Sequence, residues 1–133
     1  MKKYLIVCFG VLLLSLSGCV GLTDKGYMYD DPDLIAQEGD SYTYHSKVGT
    51  YEDLVFEDFS GTETVYSFSD IEIVNIHIDY SISKGKFKVV LIDENFEILE
   101  LGVGDHEITL DHKPMRLKIV GAHAYGSVSI NYE

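Results

Sequence analysis

The sequence predicts an all-β domain, an antiparallel β-sandwich of jelly-roll-like layout built from about eight or nine short strands. Three observations predict it. From Ser41 to the C-terminus apolar residues recur with a period of two, the spacing that puts side chains on one face of a strand. Turn-forming residues interrupt the alternation about every 8–12 positions, the rhythm of sandwiches and small barrels. No stretch of the same region repeats apolar residues at helical spacing over a useful length.

Ahead of that domain stands a leader. Lys2 and Lys3 supply a positive start, and Tyr4 to Leu16 is an apolar run broken only by Gly10 and Ser15. The run has the length of a signal-peptide core and falls short of the ~20 residues that span a bilayer. It closes on Leu16-Ser17-Gly18-Cys19. These four residues resemble the lipobox of bacterial lipoproteins. The resemblance implies removal of residues 1–18 and a diacylglyceryl group on the Cys19 thiol. It also implies a chain held on the extracytoplasmic face of the cell membrane through acyl chains of the palmitate type. Two chains, at ~0.8 kcal/mol per buried methylene, anchor stably where one does not. In lipoproteins of two-membrane bacteria an Asp after the Cys marks inner-membrane retention, and Val20 stands there instead.

Residues 19–40 read as the lipidated Cys followed by an acidic tether. Gly21, Gly26, Asp30-Asp31-Pro32-Asp33 and Glu38-Gly39-Asp40 are turn formers, with one short turn over Leu34–Gln37. Asp30, Asp31 and Asp33 offer calcium-type oxygen ligands but lack EF-hand spacing, and read as solvated linker.

Residues 41–133 are the sandwich. Tyr42, Tyr44, Ser46 and Val48 alternate with Thr43, His45 and Lys47 up to Gly49; Tyr51 to Phe59 follows, turned by Ser60-Gly61, and Thr62 to Ser69 is β-rich. The centre is Ile71 to Ile82. Val74, Ile76, Ile78, Tyr80 and Ile82 share one phase and Ile71 and Ile73 the other, a slip that predicts a β-bulge between Ile73 and Val74. Ser83-Lys84-Gly85 reads as a turn, and Phe87, Val89 and Leu91 as the next inward row. Leu99 and Leu101, then Ile108 and Leu110, then Met115, Leu117 and Ile119 follow as inward rows, with Pro114 at a strand start. Gly121 to Gly126 reads as a loop of small residues before Val128, Ile130 and Tyr132.

Residues 50–133 look like a recurrent domain of small, largely uncharacterised lipoproteins of Gram-positive bacteria. Phe59-Ser60-Gly61, Gly85-Lys86-Phe87-Lys88-Val89, Leu91-Ile92-Asp93 and Gly126-Ser127-Val128-Ser129-Ile130 carry the likeness. The region also resembles the ancillary sandwich appended to secreted peptidases. Both likenesses imply a fold and a location, and neither supplies a catalytic residue.

The chain has a net charge of −12. Without residues 1–18 it keeps eight Lys/Arg against 22 Asp/Glu, about −14 over 115 residues, one ordinary domain. That charge excludes nucleic acid as a partner, which needs a positive patch. Cys8 leaves with the leader and Cys19 takes lipid, so no thiol remains for a disulfide. His45, His77, His106, His112 and His123 form no metal-ligand spacing. Tyr125-Gly126-Ser127-Val128-Ser129 misses the last glycine of a hydrolase elbow.

The best binding candidate is the polar row Asn75, His77, Asp79 and Ser81, opposite a core row. Loop aromatics, Tyr51 and Tyr125 first and Tyr27 and Tyr29 beside them, are the second candidate. The sequence reading is therefore a non-catalytic module that needs no cofactor or metal. It takes part in protein interactions or structure at the cell envelope. The alternatives are a weak carbohydrate or cell-wall binder, ranked lower because the chain has no Trp, and an accessory domain beside a secreted hydrolase.

Overall fold

The computed structural model describes residues 24–133, in which seven antiparallel strands form one unclosed sheet. The strands are β1 (Ser41–Thr43), β2 (Ser46–Thr50), β3 (Asp53–Phe68), β4 (Ile73–Ile92), β5 (Ile98–Leu101), β6 (Gly104–Thr109) and β7 (Met115–Tyr132). Their order is β1-β3-β7-β4-β5, with β2 also on β3 and β6 also on β4. β3, β4 and β7 run for 16, 20 and 18 residues, about three times an ordinary strand. Each serves two layers. The first layer sets β6, the start of β4, the end of β7, the start of β3 and β2 side by side; the second sets β5, the end of β4, the start of β7, the end of β3 and β1. The expected all-β antiparallel sandwich is present, with fewer and longer strands.

The count differs because Ser60-Gly61, Ser83-Lys84-Gly85 and Gly121–Gly126, read as turns, are bends inside continuous strands. Pairing slips between Phe56 and Gly61 on β3 and between Ile82 and Lys86 on β4. Such bulges raise the local twist and let a strand pass from one layer to the next. Left-handed residues cluster at these places: Asp58 (φ 51°), Gly61 (φ 108°), Gly85 (φ 81°) and His123 (φ 51°). At Gly85 a Cβ would lie 2.0 Å from the His123 carbonyl oxygen, and at Gly121 it would lie 2.5 Å from the Phe59 ring. The bulge expected between Ile73 and Val74 is absent. β4 starts at Ile73 and pairs with β6 in unbroken register there, Ile73 opposite Thr109 and Val74 opposite Ile108.

Between the layers lie the predicted rows: Val74, Ile76 and Ile78; Phe87, Val89 and Leu91; Leu117 and Ile119; Val128 and Ile130. Phe56 stacks on Phe87 at 5.3 Å and Tyr66 meets Tyr132 edge-on at 4.4 Å. Each large side chain buried here contributes about 1.5–3 kcal/mol. Leu99 shares the phase of Leu101 yet is 53% exposed, because β5 is an edge strand with no described strand beyond it.

The tether expected over residues 19–40 is corrected for residues 24–40, which pack as a strap. Gly26–Asp30 forms a 3-10 turn and Pro32–Ala36 a short helix, α1. Asp31 caps α1 by accepting from the Asp33 and Leu34 N–H groups, with Pro32 in the first turn. Ile35 and Ala36 are buried against Val90, Ile92 and Val120, on the outer side of the second layer. The reason is legible in β4 itself. Val89-Val90-Leu91-Ile92 is apolar on both faces, so both faces need cover. Arg116 donates to the Ala36 and Gln37 carbonyls at 2.5 and 2.6 Å, Lys118 to the Gln37 carbonyl at 2.8 Å, and Lys88 to that of Tyr29 at 2.9 Å. The Lys118 ammonium is fully buried 3.3 Å from Asp40; burial pushes its pKa down, and Asp40 opposes that.

Candidate functional site

The strap covers one layer on its outside. On the other layer the outward side chains of β4 are Asn75, His77, Asp79 and Ser81, and all four are exposed, because their neighbours in sequence fill the core. The alternation that predicted this row is the one observed. Register extends it across the sheet. Asp105 of β6, His77 and Asn131 of β7 lie in one rank, with Glu107 and Asn75 beside them. Asp79 pairs with Ser129 and Ser81 with Ser127. On the far side Val48 and Val55 face each other, 64% and 52% exposed.

Two shallow hollows mark this face. One of about 280 Å³ is lined by Asn75, His77, Asp105 and Asn131 near the C-terminus. The other, about 200 Å³, is lined by Asp53, Asp79, Ser81, Ser127 and Ser129. The His77 Nδ1 lies 2.6 Å from the Asp105 carboxylate, which fixes the ring's orientation. Amides, carboxylates and hydroxyls set on a rigid sheet can make directional hydrogen bonds to a polar surface. Asp53, Asp105, Ser127, Ser129 and Asn131 were missed by the sequence reading. All but Asp105 alternate with core residues on their own strands, but the register that aligns them beside β4 is a tertiary fact.

Neither Tyr51 nor Tyr125, the first of the expected loop tyrosines, is a loop platform. Tyr51 is half-buried and donates its hydroxyl to Glu63, and Tyr125 sits inside β7 opposite Lys84, whose ammonium lies 5.1 Å from its ring. Glu63 is the larger surprise. Its side chain is 3% exposed, facing inward at the β1–β2 edge. It accepts from the Tyr44 hydroxyl at 2.7 Å, the Tyr51 hydroxyl, and the Lys47 ammonium at 2.7 Å. The same ammonium sits 5.7, 5.0 and 5.3 Å from the rings of Tyr42, Tyr44 and Tyr51, within cation–π range. Burial first, then the hydrogen bond to Glu63 and after it the Glu63 charge, hold both phenols well above the ordinary tyrosine range. The cluster is saturated by its own members and closes the sandwich edge.

His123, at the bend of β7, bridges two carboxylates, with Nδ1 2.7 Å from Asp58 and Nε2 3.0 Å from Asp24 of the strap. The hydrogen bond to Asp58, then that to Asp24, raises its pKa. Among the described residues no three His, Cys, Asp or Glu side chains are placed to hold a metal ion. No described helix is long and apolar enough to cross a membrane. Cys19 lies outside the described residues.

No family model matches the chain, and no curated protein matches it. Among solved structures it is similar to the crystal structure of the SPBc2 prophage-derived protein YomS. The identity is 11% and the TM-score 0.37, over 71% of this chain and 90% of the other, too slight a likeness to carry a fold or an activity across.

Proposed function

We propose that this chain is a lipid-anchored, extracytoplasmic lipoprotein whose non-catalytic sandwich serves as an interaction or structural module of the cell envelope. The observation that carries the reading is the asymmetry of the two layers. One outer face is apolar and wears the strap. The other is exposed and carries no strap, polar at its centre and apolar at Val48 and Val55, so both hydrogen-bonding and apolar groups are open to a partner. The leader and Cys19 supply the location in this reading.

The test is retention of full-length protein, in detergent, by two envelope fractions: solubilised membrane proteins and protein-free cell wall. Capture of one membrane protein, lost in the doubly substituted Asn75→Ala, Asp79→Ala chain, is the expected result. Both residues are exposed, so stability should hold within about 0.5 kcal/mol. Equal capture by the altered chain would remove the face from consideration. The hollow of amides and carboxylates at Asn75, His77, Asp105 and Asn131 favours a second reading, a weak glycan or wall binder. Retention by the wall fraction, reversed by free glycan, would put that reading first.

A further inference from the structure

β5 is short, and β4 alone pairs with it among the described strands. The Asp93 N–H donates to the Glu97 carbonyl at 3.1 Å. Counting on from that pair, the antiparallel alternation joins Leu99 and Leu101 to β4 and leaves the main-chain groups of Ile98 and Glu100 pointing outward. Sheet proteins commonly blunt such an edge by keeping it short and charged, as the four residues of β5 with Glu100 do in part, and also with Lys, Pro or a bulge. The segment Ile98-Leu99-Glu100-Leu101 has no Lys, Pro or bulge.

Beside the edge, the described residues leave the gap between the two layers open. A cavity of about 360 Å³ is lined by Leu91, Leu99, Ile108 and Met115, with Asp93 and Glu97 among its polar residues. Leu99 points in phase with the core, yet it is more than half exposed at this mouth. Around it the charge is negative. Glu97 and Glu100 are exposed and form no ion pair among the described residues. The cations on adjoining elements are engaged: Lys113 lies 3.6 Å from Glu94, Arg116 holds the strap carbonyls and Lys88 donates to the Tyr29 carbonyl.

We infer that the free edge of β5, with its apolar slot and acidic rim, accepts an extended segment of a partner protein in which apolar and basic residues alternate. Added as a further strand, the segment would pair its backbone with Ile98 and Glu100. One apolar side chain enters the slot beside Leu99, and the basic residues, on the opposite face, meet Glu100, while Glu97 at the slot mouth adds to the negative field. Alternation at period two is what sends these two kinds of side chain to opposite faces. Negative charge at the rim selects against an acidic segment and against an anionic lipid surface. The site is on a different edge from the polar face of β4, so either can fail without the other.

The probe is a seven-residue peptide of alternating lysine and valine, titrated onto the full-length chain in non-ionic detergent, with amide exchange followed at Ile98 and Glu100. Binding with slowed exchange at both amides is expected. Three changes should each weaken it at least tenfold: glutamate for lysine in the peptide, N-methylation of its alternate amides, and Leu99→Lys in the protein. If Leu99→Lys lowers the melting temperature, the outward Glu100→Arg takes its place. No binding of the lysine–valine peptide would overturn the inference. So would equal binding of the N-methylated peptide or no effect of the substitutions, since those outcomes describe adsorption to an acidic surface.

Discussion

Replacing Glu63 by Gln tests whether a buried carboxylate holds the β1–β2 edge to the sandwich. Three donors converge on it: the Tyr44 and Tyr51 hydroxyls and the Lys47 ammonium. Gln keeps one acceptor oxygen and turns an NH₂ group toward the other donors. A hydrogen bond to a charged group is worth about 1.5–3 kcal/mol net. The Lys47 side chain is one-third exposed and can turn to water, so its share is under about 1 kcal/mol. The two phenols are half-buried with their hydroxyls turned to Glu63, and between them they lose one bond and keep a weaker one. The expected cost is about 3 kcal/mol, at the lower end of what breaking a buried ion pair costs. For a domain of this size that lowers the melting temperature by about 12 °C. Thermal unfolding of the full chain, repeated by urea titration, reads it directly. In a Lys47→Met background the same substitution should cost less, by a few tenths up to about 1 kcal/mol, the share of the ion pair. A fall of less than about 4 °C for Glu63→Gln, or strict additivity with Lys47→Met, would refute the reasoning.

His123 should titrate above its ordinary 6.5 by NMR, and Asp58→Asn should bring it down, because the Asp58 hydrogen bond is the first cause of the shift. The sign follows from linkage: a raised folded pKa makes the tie to Asp58 and Asp24 fully present below about pH 6.5 and lost as pH rises through the folded value. With the side chain half exposed, the effect on global stability stays within about 1 kcal/mol, and a midpoint at or below 6.5 would contradict the geometry. Gly121→Ala should cost about 1–3 kcal/mol by driving a methyl into the Phe59 ring. Gly39→Ala, where the added carbon meets nothing within 4 Å, should leave the melting point in place; equal effects at the two sites would show that the Phe59 contact does not decide the cost.

Strand phase was legible because burial of one face forces a period of two, and a one-residue error would turn every core residue outward. That is why Val74, Ile76 and Ile78, and with them the exposed Asn75, His77, Asp79 and Ser81, are where alternation puts them. Strand length was not legible. Ser60-Gly61 and Ser83-Lys84-Gly85 carry turn chemistry, and a bulge asks for the same left-handed residue as a turn without reversing the chain. The strap was hidden by its composition, since Asp and Gly outnumber Met28, Ile35 and Ala36 there. Its signal lay sixty residues away, in a β4 segment too apolar to leave one face wet. Glu63 reads as an ordinary polar position, and only the fold brings Lys47, Tyr44 and Tyr51 to it.

The grip of Arg116, Lys118 and Lys88 on the strap has a mechanical side. These cations hold main-chain carbonyls of Tyr29, Ala36, Gln37 and Gly39 one after another, so the strap is attached like a row of fasteners. A load applied at the N-terminus reaches the Lys88 bond first and then the Arg116 and Lys118 bonds, which share the Gln37 carbonyl, before it reaches the first ladder bond of β1. Peeling residues 24–40 would pay out about 55–60 Å of chain at full extension while the core strands carry no tension. The strap is then a shock absorber: a pull on the N-terminal end is met by extension first and by the strength of the sandwich only afterwards.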